Sequence, residues 1–297
     1  MKHGPDVAHE PYDLRRLFKA VGRVGGRGGE VAASERADSE ELVEMVDACS
    51  LEVTSDPAEV AGFVDGIQAH MHLTHIERRP VSLYYVAAGA LAKGAKPVAL
   101  VEHLRLQCSE EDREWVENLG SNIPVEILPG ATPPELELAA AKSVGAARDR
   151  AERTVIDEML KVGGVGLIAV DGSLMARPHS DRLVGIVKTT AVRYLGDERV
   201  LWDLPRGWRS PRFTIGAGER RRYSCYVQLV EKGDGAWNLG LIRLESFVLS
   251  HLEPMAATCL AEVQTRSSGD PRWDRHLGSV RAVEEFLRAR RPATFTM

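Results

Sequence analysis

The sequence VGLIAVDG at residues 165–172 is the clearest indication of how this chain folds. It is a continuous apolar run bounded by glycines, and it ends in Asp171-Gly172. A strand that is apolar on both faces is typical of a parallel sheet covered by helices on both sides. The run therefore predicts a buried parallel strand with an aspartate at its carboxyl end, where function collects in such sheets.

A long helix is predicted just before this strand. Pro133-Pro134 suits a first helical turn, and apolar residues then recur at three- or four-residue steps until Gly163-Gly164 ends the pattern. The other predicted elements are strands at 61–66, 80–88, 97–103, 183–188, 223–230 and 237–244, and helices at 109–119, 254–266 and 276–290. This order predicts a mixed α/β fold.

Composition is that of a globular protein and excludes several kinds of site. Of 297 residues, 44% are hydrophobic and 27% are charged, and the formal net charge of −5 is not that of a strongly basic nucleic-acid binder. None of the four cysteines forms a CxxC pair, which excludes a zinc ribbon and a thioredoxin-type motif. Since the sequence shows neither a signal peptide nor an apolar run that could span a membrane, we expect a cytoplasmic protein.

Two similar segments place an aspartate after apolar residues: FVDG at 63–66 and AVDG at 169–172. A carboxylate at a buried strand end is costly unless it is paired, and hard divalent cations prefer carboxylate oxygens. We therefore interpret Asp65 and Asp171 as metal ligands of a phosphodiester-cleaving site. Asp-Gly is also the commonest hairpin turn, and for Asp65 taken alone a structural turn is the stronger interpretation.

Glu152 is a third candidate ligand, selected by geometry. At 1.5 Å per residue it lies about 14 Å back from the helix end, roughly level with Asp171 at the top of a strand that rises about 20 Å. It also follows Ala151 of the apolar stripe. The alternative is a solvated charge within the cluster RDRAER at 148–153.

The order of these segments resembles the NurA family of DNA-end-processing nucleases over roughly residues 60–290. The similar segments are FVDGIQ at 63–68 with the strand at 81–90, Glu152 in its helix, LIAVDGSL at 167–174, VGIVKT at 184–189, YVQL at 226–229 and IRLE at 242–245. The resemblance implies a ribonuclease H-like mixed sheet flanked by helices, related to the PIWI domain. It also implies manganese-dependent cleavage of DNA ends in DNA repair or related DNA metabolism, with magnesium as the alternative cation.

The resemblance assigns roles to residues and to partners. Asp65, Glu152 and Asp171 carry over as acidic metal ligands, and Lys188 carries over as a phosphate or active-site contact. The implied assembly is a homodimer that works with a HerA-type hexameric ATPase. The chain itself lacks a phosphate loop, since no Gly-Lys-Ser/Thr follows its Gly-rich patch at 21–29, and it cannot supply the motor.

The C-terminal segment GDPRWDRH at 269–276 departs from the family's pattern. His276 is there a metal ligand or proton-transfer group or, equally, a surface residue, and Asp270 or Asp274 could replace it as an acidic ligand. Two alternative functions therefore stay open. One is a non-catalytic adaptor of the same fold that docks on a motor ATPase, and the other is an RNA-cleaving phosphodiesterase.

Two further regions have predicted binding roles. The segment 206–222 interleaves six arginines with aromatic residues, which favours DNA contact; the alternative is a solvated loop with scattered ion pairs. The predicted DNA-binding residues are Arg206, Arg209, Arg212 and Arg221. Residues 1–55 form a predicted helical or flexible segment before the nuclease domain at 56–297, and the apolar face of a helix at 12–21 suits docking on the ATPase, on its own domain or on a second copy.

Overall fold

The computed structural model describes residues 50–92, 96–162, 164–188, 194–195, 199–232, 238–263, 275 and 277–296, together with the backbone of 40–42. The predicted helix at 12–21, His276, Asp270 and Asp274 lie outside these residues. Among the helices that the structure describes, none is long and apolar enough to cross a membrane.

The described elements are mostly strands, with helices between some of them and two helices near the C-terminal end. The strands are β1 (Glu40–Leu42), β2 (Leu51–Glu52), β3 (Val60–Ile76), β4 (Arg79–Ala92), β5 (Lys96–Cys108), β6 (Val125–Ile127), β7 (Leu167–Asp171), β8 (Leu183–Val187), β9 (Trp208–Arg209), β10 (Phe213–Ile215), β11 (Arg222–Gln228) and β12 (Leu241–Ser246). The helices are α1 (Arg113–Glu117), α2 (Pro133–Lys161), α3 (Arg199–Trp202), α4 (Leu252–Glu262) and α5 (Gly278–Arg290). Short 3-10 turns lie at Glu110–Asp112, Gly218–Arg220, Leu249–His251 and Ala293–Thr296.

The described strands form one mixed sheet in the order β1-β10-β11-β12-β8-β7-β3-β4-β5-β6, with β9 also paired to β11 and β2 paired to β9. β7 lies at its centre and is parallel to both β3 and β8, as its apolar sequence predicts. Antiparallel strands flank this centre on both sides. The predicted fold class, a ribonuclease H-like mixed sheet flanked by helices, is confirmed.

Helices cover both faces of the sheet. α2 begins at Pro133, as predicted, where the Glu135 carboxylate accepts a hydrogen bond from the Thr132 backbone N–H at 3.0 Å. Its apolar stripe, which includes Ala151 and Val155, packs on one face of the sheet. Residues of α4 and α5 pack on the opposite face. The central strands are thereby buried between two helical layers, as their apolar composition requires.

β3 is much longer than the strand predicted at 61–66. It continues through Gly66 to Ile76, and Asp65 pairs with Gly89 in mid-strand. The predictions of a strand end or a hairpin turn at Asp65 are therefore wrong, because β4 runs alongside and satisfies the backbone of β3 beyond this point. His70, His72 and His75 lie on this continuation of β3.

Candidate active site

Asp65 and Asp171 lie side by side at the centre of the sheet. The last residue pair in the parallel pairing of β3 with β7 is Val64–Val170. Asp65 and Asp171 are the next residues of these two strands, whose backbones lie about 4.8 Å apart. Asp171 is the last residue of β7 and pairs with Ile186 of β8, whose side chain packs on the side of α4 and α5. Because paired residues face the same side, both aspartates point toward that side of the sheet.

Lys188 completes this cluster. It directly follows β8, and its Nζ lies 3.0 Å from Oδ2 of Asp171. The resemblance assigns Lys188 a phosphate or active-site contact; the structure places it beside Asp171, and the role itself stays a prediction. Arg275 anchors the backbone at Lys188, since its Nη1 donates a hydrogen bond to the Lys188 carbonyl oxygen at 2.6 Å.

The environment of Asp65 disfavours its charged form. Burial, followed by repulsion from Asp171, raises the pKa of Asp65 to about 8, although Lys188 and a hydrogen bond from the Gly66 backbone N–H at 2.7 Å act in the opposite direction. The weakest contribution, from Glu152, also raises this pKa. The site therefore favours the protonated form of Asp65 over the charged form.

The Glu152 side chain approaches the aspartate pair from the side of β3 that faces α2. A Cβ atom at Gly66 would come within 2.4 Å of Glu152 Oε1, so the carboxylate fits there only because residue 66 is glycine. Side chains alternate along a strand, and Gly66 faces α2 while Asp65 faces away from it. Glu152 is fully buried, so the alternative of a solvated charge is wrong, and its role as a metal ligand stays a prediction.

Two arginines neutralise Glu152. Arg177, in the connection between β7 and β8, forms an ion pair with its Oε2, and Arg148 Nε lies 3.1 Å from its Oε1. Burial raises the pKa of Glu152 against the opposing effect of Arg177 and Arg148. Within the described part of the chain no three His, Cys, Asp or Glu side chains lie close enough to hold one metal ion, so the metal-ligand roles remain predictions.

Sequence reasoning missed Glu245, which fixes the chain just after Asp171. This fully buried residue of β12 accepts hydrogen bonds from Ser173 Oγ and the Leu174 backbone N–H, both at 2.9 Å. Arg222 Nε at 2.8 Å and Arg243 Nη2 at 2.7 Å also donate to it. Burial acts to raise the pKa of Glu245, but the two arginines outweigh it and the pKa is lowered. The charged residues within the apolar sequence LIRLES of β12 were the available signal.

The arginine segment is not one open patch. Arg209 and Arg212 both form ion pairs with Glu253 of α4, at 3.1 Å for Arg209. Arg209 is buried, whereas Arg206 and Arg221 are exposed. The predicted DNA contact at all four arginines stays a prediction, and the exposed pair is the part best placed to meet a ligand.

The structure thus brings together four of the five predicted site residues: Asp65, Asp171 and Lys188 on one side of the sheet, and Glu152 behind Gly66. A scan against protein-family models found no match to the chain, and a search of curated proteins found none either. The function must therefore be argued from this geometry and from the sequence resemblance.

Proposed function

We propose that this chain is a divalent-metal-dependent nuclease that hydrolyses phosphodiester bonds in DNA. The observation that carries the proposal is the pair Asp65–Asp171, two carboxylates on neighbouring central strands that face the same side of the sheet, where burial and mutual repulsion raise the pKa of Asp65. A divalent cation would relieve that repulsion. Glu152 Oε1 is a buried oxygen that accepts no hydrogen bond from the described residues and has the partly exposed Arg148 Nε 3.1 Å away, so it could also accept a cation.

The donor set suits Mn²⁺, or alternatively Mg²⁺, because carboxylate oxygens are the ligands that such hard cations prefer. Asp65, Asp171 and Glu152 are the residues that would hold the cation, through their carboxylate oxygens. A bound divalent cation supplies activation of water and stabilisation of the leaving oxygen. Lys188, whose Nζ lies 3.0 Å from Asp171 Oδ2, would contact a phosphate oxygen of the substrate.

The substrate and the assembly rest on the resemblance to NurA. We propose that the enzyme processes DNA ends in repair or related DNA metabolism in the cytoplasm, as a homodimer with a HerA-type hexameric ATPase. The net charge of −5 supports the need for a partner, because long-range electrostatics would not concentrate this chain on DNA.

A non-catalytic adaptor of the same fold is the second candidate. The observation that favours it is that the acidic side chains already have basic partners: Lys188 for Asp171, and Arg177 with Arg148 for Glu152. Internal neutralisation of this kind would preserve the fold after loss of metal binding.

Cleavage assays with the Asp171→Asn variant separate these functions. End-labelled single-stranded DNA, duplex DNA and RNA are incubated with Mn²⁺, Mg²⁺ or EDTA. We expect manganese-dependent cleavage of DNA by the wild type and none by Asp171→Asn, because asparagine keeps the shape but loses the charge that holds the cation. Asp181→Asn, at an exposed turn before β8, is the matched control and should cleave like the wild type.

Each other outcome has a defined meaning. Full activity of Asp171→Asn would refute the proposed site. A wild type that cleaves nothing but binds the ATPase would favour the adaptor, and cleavage of RNA alone would favour the RNA-cleaving phosphodiesterase.

A further inference from the structure

One ion pair of the site contains two unsatisfied buried atoms. Glu152 and Arg177 are 1% and 7% exposed, and within the described residues neither Glu152 Oε1 nor Arg177 Nε has a hydrogen-bond partner. Arg148 Nε approaches Oε1 without hydrogen-bond alignment, and its side chain is 40% exposed and able to turn into solvent. Buried polar atoms are normally satisfied. An unsatisfied acceptor beside an unsatisfied donor fits a ligand that carries both a cation and an anionic oxygen.

The backbone that carries Arg177 is anchored without its guanidinium. Ser173 and Leu174 are held by Glu245, and Arg153 Nη2 donates to the Ala176 carbonyl oxygen at 3.0 Å. The Arg177 backbone N–H also donates to the Leu174 carbonyl oxygen at 3.0 Å. The Arg177 side chain can therefore exchange its partner while the loop stays in place.

We propose that Arg177 is a substrate-phosphate ligand that serves as the counter-charge of Glu152 in the metal-free protein. This inference rests on the proposed function, because a divalent cation must take over Glu152. The exchange is chemically natural, since a guanidinium presents the same planar fork of donors to a carboxylate and to a phosphate. The positive charge of Arg177 would thereby stay paired with Glu152 until a cation takes its place and a phosphate oxygen becomes its new partner.

If Arg177 exchanges Glu152 for a phosphate, its replacement should have different effects on the affinity for Mn²⁺ and on the affinity for DNA. Arg177→Gln removes a competitor for Glu152, so the affinity for Mn²⁺ without DNA should stay equal or rise. The affinity for a single-stranded oligonucleotide in Ca²⁺ should fall about tenfold or more, because one charge-assisted hydrogen-bonding group to phosphate is lost. A residue with a merely structural role would lower both affinities and the melting temperature together.

The test uses the full chain and three variants. Mn²⁺ binding is followed by electron paramagnetic resonance, oligonucleotide binding by fluorescence anisotropy in Ca²⁺, and folding by thermal melting. Arg153→Gln is the matched control, since Arg153 anchors the same loop without contacting Glu152. Arg177→Lys keeps the charge beside Glu152 but lacks Nε and the planar fork, and it should show the same loss of oligonucleotide affinity if Arg177→Gln does not fold.

The outcomes distinguish this inference from the proposed function. If the wild type binds Mn²⁺ and the oligonucleotide but Arg177→Gln binds DNA as Arg153→Gln does, the role of Arg177 is wrong and the nuclease proposal stands. Loss of Mn²⁺ binding in a folded Arg177→Gln also overturns the exchange. If the wild type binds neither Mn²⁺ nor DNA, both proposals fail.

Discussion

The Asp65→Asn substitution in the metal-free protein tests the carboxylate pair directly. Burial and Asp171 raise the pKa of Asp65 from 3.8 to about 8. Below about pH 4 this carboxyl group is protonated in the folded and the unfolded chain alike. Between about pH 4 and pH 8 the unfolded chain ionises while the folded protein keeps the proton, so the wild type loses stability as the pH rises. Asparagine resembles the protonated acid and should abolish this loss.

The size of the effect follows from the pH interval. One pKa unit corresponds to about 1.36 kcal/mol. Between about pH 5 and pH 8, the free energy of unfolding of the wild type should therefore fall by up to roughly 4 kcal/mol relative to Asp65→Asn. Asp65 is partly exposed, and solvent screening reduces the expected difference to about 2–3 kcal/mol.

Urea unfolding of both proteins in EDTA, at the two ends of this pH range, measures the difference. Asp181→Asn is the control and should follow the wild type. Mn²⁺ at saturating concentration should stabilise the wild type at the higher pH and stabilise Asp65→Asn much less, because the cation replaces the proton on the carboxylate. Identical pH dependence of the wild type and Asp65→Asn would refute the reasoning.

Two further predictions concern the close approach at Gly66 and the exposed arginines. Gly66→Ala should lower the free energy of unfolding by about 1–3 kcal/mol, because the new Cβ would lie 2.4 Å from Glu152 Oε1; an unchanged urea midpoint would contradict the packing of Glu152 on β3. Replacing both Arg206 and Arg221 by glutamine should weaken DNA binding and flatten the slope of log affinity against log salt by roughly two. A salt slope equal to that of the wild type would remove this pair from the DNA interface.

Local pattern was sufficient for the elements that carry two of the site residues. α2 begins at Pro133 and β7 ends at Asp171 as predicted, because helical periodicity, prolines, glycines and a doubly buried apolar run are properties of contiguous residues. The fixed rise of helix and strand then placed Glu152 level with Asp171, and Gly66 confirms that approach. The fold class and the relative height of Glu152 and Asp171 were thus accessible from the sequence.

The partners of these residues came only with the tertiary structure. β3 continues past Asp65 because β4 pairs with it, and the pairing depends on residues from another part of the chain. Arg209 and Arg212 are occupied by Glu253, and Glu152 by Arg177, across separations of 25 to 44 residues. Periodicity records how much of a side chain is buried but not which distant charge lies against it. The side of the sheet from which each carboxylate approaches, and the charge that neutralises it, are therefore properties of the packed fold.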